Sequence, residues 1–123
     1  MCLELKKYSK PKIAKKDIIC YKALLKLDDG ILRTPYQNSP IKIGEIYQSN
    51  IINKNCKIEI GIHSFENIED ILRWVNRCYL SIYLERLLKV KCIIPKGAKY
   101  YKGMFLEFNS YASNELKYIE IID

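Results

Sequence analysis

Ile93-Ile94-Pro95-Lys96-Gly97-Ala98-Lys99-Tyr100-Tyr101-Lys102-Gly103 is the stretch around which the chain is organised. It closes a β-branched run that begins at Val90, breaks at Pro-Lys-Gly, and then sets two tyrosines among lysines before a second glycine. Proline removes a ladder donor and fixes φ, while Gly97 permits a positive φ, so a strand ends here and the chain turns. Two readings of the segment after the turn stand side by side. Lys99, Tyr100 and Tyr101 can serve an anionic ligand with a flat ring, the cations meeting phosphate and the tyrosines stacking on the ring. Equally, the tyrosines can alternate between the core and the surface of an ordinary strand that the lysines keep hydrated.

Outward from this stretch, strands dominate the pattern. Asp17 to Leu27 is a β-rich run that closes at Asp28-Asp29-Gly30, a tight-turn signal, with a returning strand from Ile31 to Arg33. Ile41 to Tyr47 alternates until Gly44 and then shifts phase, as a strand with a bulge does. Ser49 to Asn55 is Asn-rich and reads as a loop, and Lys57 to Ile62 is a third alternating run. Leu116 to Ile122 is a terminal strand that closes the sheet.

The period changes at His63-Ser64-Phe65. Ser64 is suited to cap a helix, acids follow in its first turn, and Ile68, Ile71, Leu72 and Val75 fall on one helical face. The pattern predicts a helix over 65–77. From Tyr79 to Leu88 paired apolar residues recur every fourth position, which fits a second helix, while Ile82 and the aromatics keep a strand open. The expected fold is therefore α+β: an antiparallel sheet of about five strands packed by one or two helices. Residues 1–16, with six lysines around Pro11, read as a basic N-terminal arm, and 17–123 as a single compact domain.

Composition narrows the function classes. Twenty-one Lys and Arg against fourteen Asp and Glu give a formal charge of +7, which attracts nucleotides, nucleic acid or an acidic partner. Nucleic acid is the less favoured of these. Five scattered cysteines, never spaced C-x-x-C, argue against zinc, a redox motif or a disulfide framework, and no cofactor or metal is expected. No uncharged apolar run reaches about 18 residues and the N-terminus lacks the apolar core of a signal peptide, so the expected compartment is the cytoplasm. Ten tyrosines, three phenylalanines and a tryptophan exceed what one sheet face and one helix bury, which predicts a homo-oligomer. Phosphate-binding, zinc-protease and nucleophile-elbow motifs are absent, and the chain is read as not an enzyme.

Three polar aromatic segments compose the expected ligand site: Arg33, Tyr36 and Gln37 around the loop between Thr34 and Pro40; Lys99, Tyr100 and Tyr101; and Ser110, Tyr111, Ser113 and Asn114 in a polar loop. They combine a π-face, a cation, and hydroxyl or amide donors. His63, with Phe65 beside it, is a further candidate, because it stands where helix amides would hold an anion. Each has a plainer reading as a connector or a packing residue.

Asp17-Ile18-Ile19-Cys20-Tyr21-Lys22, Gly61-Ile62-His63-Ser64-Phe65, Ile94 to Gly103 and Ser110-Tyr111-Ala112-Ser113 recur in an order that resembles small proteins of bacteriophages and prophages, in particular the first family of Thoeris anti-defence proteins. The likeness covers most of residues 17 to 122 and implies the cytoplasm of an infected or lysogenic bacterial host cell as the compartment. It implies an oligomeric protein that sequesters cyclic ADP-ribose isomers made by host TIR-domain enzymes without cleaving them, some members also holding cyclic oligonucleotides at a separate site. No contact residue is carried over from that family, and Ile62 stands where similar bacterial proteins carry an aromatic. The expected function is thus capture of a nucleotide-derived signal. The alternatives are a phage inhibitor of an acidic or nucleoprotein target, such as a CRISPR effector, and a small nucleotide-processing enzyme.

Overall fold

The computed structural model of the chain describes residues 3–6, 9–35, 39–77 and 86–122. In chain order it forms β1 (Leu3–Glu4), β2 (Lys12–Ile13), β3 (Ile18–Lys26), β4 (Leu32–Arg33), β5 (Pro40–Ile41), β6 (Ile46–Gln48), β7 (Ile52–Lys54), β8 (Lys57–Ile60), β9 (Ile62–Phe65), α1 (Glu69–Arg77), β10 (Leu87–Ile94), β11 (Lys99–Phe105), β12 (Phe108–Ser113) and β13 (Glu115–Ile121). Every pairing is antiparallel. The expectation of an α+β fold with about five strands is overturned: strands make up 55% of the described residues and helix 9%.

Ten strands follow one path, β6-β13-β10-β3-β9-β12-β11-β1-β8-β7, with β2 added on β11, and β4 and then β5 on β3. The path ends on β6 and β7, which are consecutive in the chain. Laid flat, ten strands at about 4.8 Å spacing would hold these edges about 43 Å apart. Gln48 and Ile52 are separated by so short a link that they can lie at most about 14 Å apart. The sheet must therefore roll, and it does so into a half-barrel whose two edges approach along a seam.

The turns are made by the residues suited to them. Gly97 has φ 91°, and Ala98 N–H donates to the Pro95 carbonyl at 3.0 Å, so β10 ends and the chain turns at the Pro-Lys-Gly break before β11 begins. Gly61 separates β8 from β9, where the chain leaves its pairing with β1 and β7 and joins β12 and β3. A Cβ at Gly61 would stand 3.2 Å from Ile58 Cγ2 and 3.5 Å from Ala112 Cβ, so the corner closes tightly there.

Each sheet face has its own core. One, built on Ala23, Phe65, Tyr101, Phe105, Phe108 and Ala112, is covered by α1 through Ile71, Trp74 and Val75. The other gathers Cys20, Leu24, Val90, Cys92, Ile94, Leu116 and Tyr118 beneath Ile41. Because the two cores lie on opposite faces of β3, both its faces are covered, and Ala23, Leu24 and Leu25 are buried in succession.

Several local expectations are corrected with the fold. The helix begins at Glu69, not at 65, because residues 62–65 form β9 and Ser64 is paired with Tyr111 instead of capping. Leu72 is 39% exposed; Trp74 takes the inward position beside Ile71 and Val75. The Asn-rich loop contains β7, the polar loop around Tyr111 is β12, and Leu3 and Ala14 of the lysine-rich N-terminal stretch are buried against the sheet. The helix-or-strand question at 79–88 falls largely outside the described residues, with Leu87 and Leu88 in β10. No described helix is long and apolar enough to cross a membrane.

Candidate ligand pocket at the seam

Alternation along β3 sends Cys20, Lys22 and Leu24 toward the same core. Lys22 is paired with Val90 of β10 and diagonal to Cys92, a setting of thiols and aliphatic carbon. Its Nζ donates to the His63 backbone carbonyl at 2.6 Å. No carboxylate pairs with it among the described residues. Enclosure disfavours the charged form and pulls the Lys22 ammonium below the ordinary lysine range. The neighbouring thiols supply no counter-charge: burial pushes Cys20 up to about 11, and it raises Cys92 further.

Above Lys22 the seam opens into a cavity of about 380 Å³. Thr34 and Ser39 border it from the β4–β5 connection, Tyr47, Gln48 and Ser49 from one sheet edge, and residues 59–63 from the corner at Gly61. These walls are already bonded in place. Thr34 Oγ1 accepts from Ser39 N–H at 3.1 Å, the Tyr47 hydroxyl accepts from Lys42 N–H at 2.7 Å, and Gln48 Nε2 donates to Glu115 at 2.8 Å. Glu59, exposed, is the one carboxylate among the described lining residues. The arrangement is a cation on the floor of a recess with hydroxyls and amides in its walls, which suits a small anion. A second, open polar groove, bordered by Gln48, Ser49, Asn50, Asn114 and Glu115, adjoins it.

The residues expected from sequence to form one site are distributed over the fold. Arg33 lies in β4 and donates to Asp29 at 2.6 Å. Tyr36 and Gln37 lie outside the described residues. His63 borders the pocket, and its backbone carbonyl accepts from Lys22. Its ring packs edge-on against Phe65 and Phe105, each at 4.8 Å, and burial together with the charge of Lys22 holds its pKa well below the ordinary value. Phe65 and Tyr101 are core residues, and Ser110 and Ser113 are fully buried.

Lys99, Tyr100, Tyr111, Ser113 and Asn114 do come together, along the β11–β12 hairpin. Tyr100 is paired with Ser113 and packs on the Tyr111 ring at 6.0 Å, while Lys99 N–H donates to Asn114 Oδ1 at 2.9 Å. Burial raises the Tyr111 phenol to about 12. Of this group, Asn114 borders the second groove and none borders the pocket over Lys22.

Lys22 is the residue that sequence reasoning passed over. Its signal was a lysine between Cys20 and Leu24 on one face of a run too apolar to be an edge strand. Among the described residues no group of three His, Cys, Asp or Glu side chains is placed to hold a metal ion. Comparison of the chain with models of protein families, with curated proteins and with solved structures finds no match.

Proposed function

We propose that the protein captures a small anionic ligand in the seam pocket without turning it over, the anion meeting Lys22 on the pocket floor. One observation carries this reading: a half-buried lysine that donates to a backbone carbonyl and has no carboxylate partner among the described residues. Burying an unpaired cation is costly, and an arriving phosphate or carboxylate offsets that cost. A cavity of about 380 Å³ is at the small end of ligand sites, and the +7 charge of the chain draws anions from a distance. Nucleotide-derived signals, the class implied by the resemblance to Thoeris anti-defence proteins, are the anions to test first. Tyr47 and Tyr118 both border the pocket, and the half-buried Tyr47 is the more accessible of the two to a base.

Capture fits better than turnover because the buried thiols and the imidazole are occupied otherwise. Cys20 and Cys92 are held as thiols, and the ring of the chain's single histidine is packed among phenylalanines. The test is calorimetric titration with a cyclic ADP-ribose isomer, a cyclic dinucleotide, linear ADP-ribose and inorganic phosphate, using the native chain and Lys22→Met. Loss of a charge-assisted hydrogen bond worth about 1.5–3 kcal/mol predicts binding weakened by about tenfold to a hundredfold in the variant. Absence of heat with all four ligands, or equal affinity in Lys22→Met, would overturn the reading.

A further inference from the structure

We propose that Lys22 is also a covalent capture site, its amine condensing with a small anionic aldehyde or α-keto acid that enters the seam pocket. The geometry supplies what such a reaction needs. Lys22 borders the cavity, so a ligand can reach it, and its backbone-carbonyl contact at 2.6 Å holds Nζ in place through one hydrogen. No other hydrogen bond or ion pair engages Nζ among the described residues, so whenever the ammonium gives up a proton the lone pair is open to a carbonyl carbon. A desolvated lysine in an apolar setting is the usual way an amine becomes nucleophilic near neutral pH, and the enclosure of Lys22 acts in that direction. Lys96 and Lys99, by contrast, stand exposed to water at the turn into β11.

The charge of the carbonyl compound is set by the pocket. The Nζ lone pair forms the new N–C bond while the carbonyl π pair moves onto oxygen, which takes a proton from nitrogen. The carbinolamine then loses that oxygen as water with the remaining proton on nitrogen, and a C=N bond results with no change of oxidation state. Once protonated, the imine carries the positive charge that no described carboxylate offsets at Lys22. A ligand bearing its own carboxylate or phosphate brings the counter-charge with it, and the hydroxyls of Thr34 and Ser39 and the amide of Gln48 are the wall groups available to that anion. The inference uses the same pocket as the proposed anion capture, but it does not require measurable reversible affinity.

The experiment treats the full chain with glyoxylate, and separately with the neutral propionaldehyde, in the presence of cyanoborohydride, and maps the reduced adducts by peptide mass spectrometry. Lys22 is expected to label at least about tenfold faster with glyoxylate than Lys96 or Lys99 does. Propionaldehyde should show a smaller preference, and added phosphate should slow the Lys22 adduct alone. Lys22→Arg, which keeps the charge without the nucleophile, should lose that adduct while surface labelling continues. Labelling of Lys22 no faster than the surface lysines in the folded native chain would overturn the inference. If Lys22 labels while calorimetry shows no anion binding, reversible capture fails and the covalent site stands; if anions bind while Lys22 stays unlabelled, reversible capture stands and the covalent site fails.

Discussion

Cys20 of β3 and Cys92 of β10 stand directly opposite each other, and neither exposes any surface. A thiol reacts as its thiolate, and burial keeps both protonated, Cys20 up to about 11. Iodoacetamide at about pH 8 should therefore leave both unlabelled in the folded protein and label both in denaturant. Cys56, which is partly exposed, should react in either condition. Peptide mapping reads the result directly, and prompt labelling of Cys92 in the native chain would contradict its placement.

Lys22→Met should leave thermal stability unchanged or raise it, since an enclosed amine without an acidic partner is replaced by an apolar side chain of similar length. The sign of the pH dependence comes from linkage. The folded pKa lies below 10.5, so between that lowered value and 10.5 the unfolded chain binds more protons and native stability rises with pH. The advantage of Lys22→Met should thus be largest below this window and shrink as pH climbs through it. Denaturant melts of both proteins over a range of alkaline pH check the trend.

His63 should contribute a trend of the same sign in the acid range. Its folded pKa lies well below 6.5, so the unfolded chain takes up the proton first and stability falls as pH drops below 6.5 toward the folded value. His63→Phe keeps an aromatic ring against Phe65 and Phe105 and removes the proton, so its acid limb should be flatter than that of the native protein. Parallel acid limbs in urea melts would mean that His63 is not the group responsible.

Trp74→Ala should cost about 3–5 kcal/mol, because this buried ring packs against Phe65 and Phe105. Leu72→Ala, two residues earlier but 39% exposed, should stay within about 0.5 kcal/mol. A matched pair of melting curves distinguishes this helix face from the one that apolar spacing alone predicts.

Gly103→Ala should loosen the N-terminal strand. A Cβ there would stand 2.4 Å from the Glu4 backbone oxygen and 3.2 Å from Leu3 Cγ, so β1 must shift off β11. Overpacking of this kind costs about 1–3 kcal/mol. Hydrogen exchange should show amide protection falling first at residues 3–6.

What the sequence determined by itself is what local chemistry determines. The long strand from Ile18, the turn at Pro95-Lys96-Gly97, the Asp29-Gly30 turn and the presence of a helix were legible because β-branched runs, fixed or positive φ, and a 3.6-residue period act within a few neighbours. Strands of two or three residues, such as Leu3–Glu4 and Ile52–Lys54, carry no period of their own and exist because a partner strand supplies their hydrogen bonds. The same competition moved the helix start: Ser64 is a good cap in isolation, but the ladder with Tyr111 claims it first. Lys22 shows the limit most plainly. Its strand was evident from sequence, yet only the placement of β3 between β10 and β9, in a sheet rolled until its edges approach, encloses that amine beneath a pocket. The site was decided by contacts between residues far apart in the chain, which a pattern read along one strand does not contain.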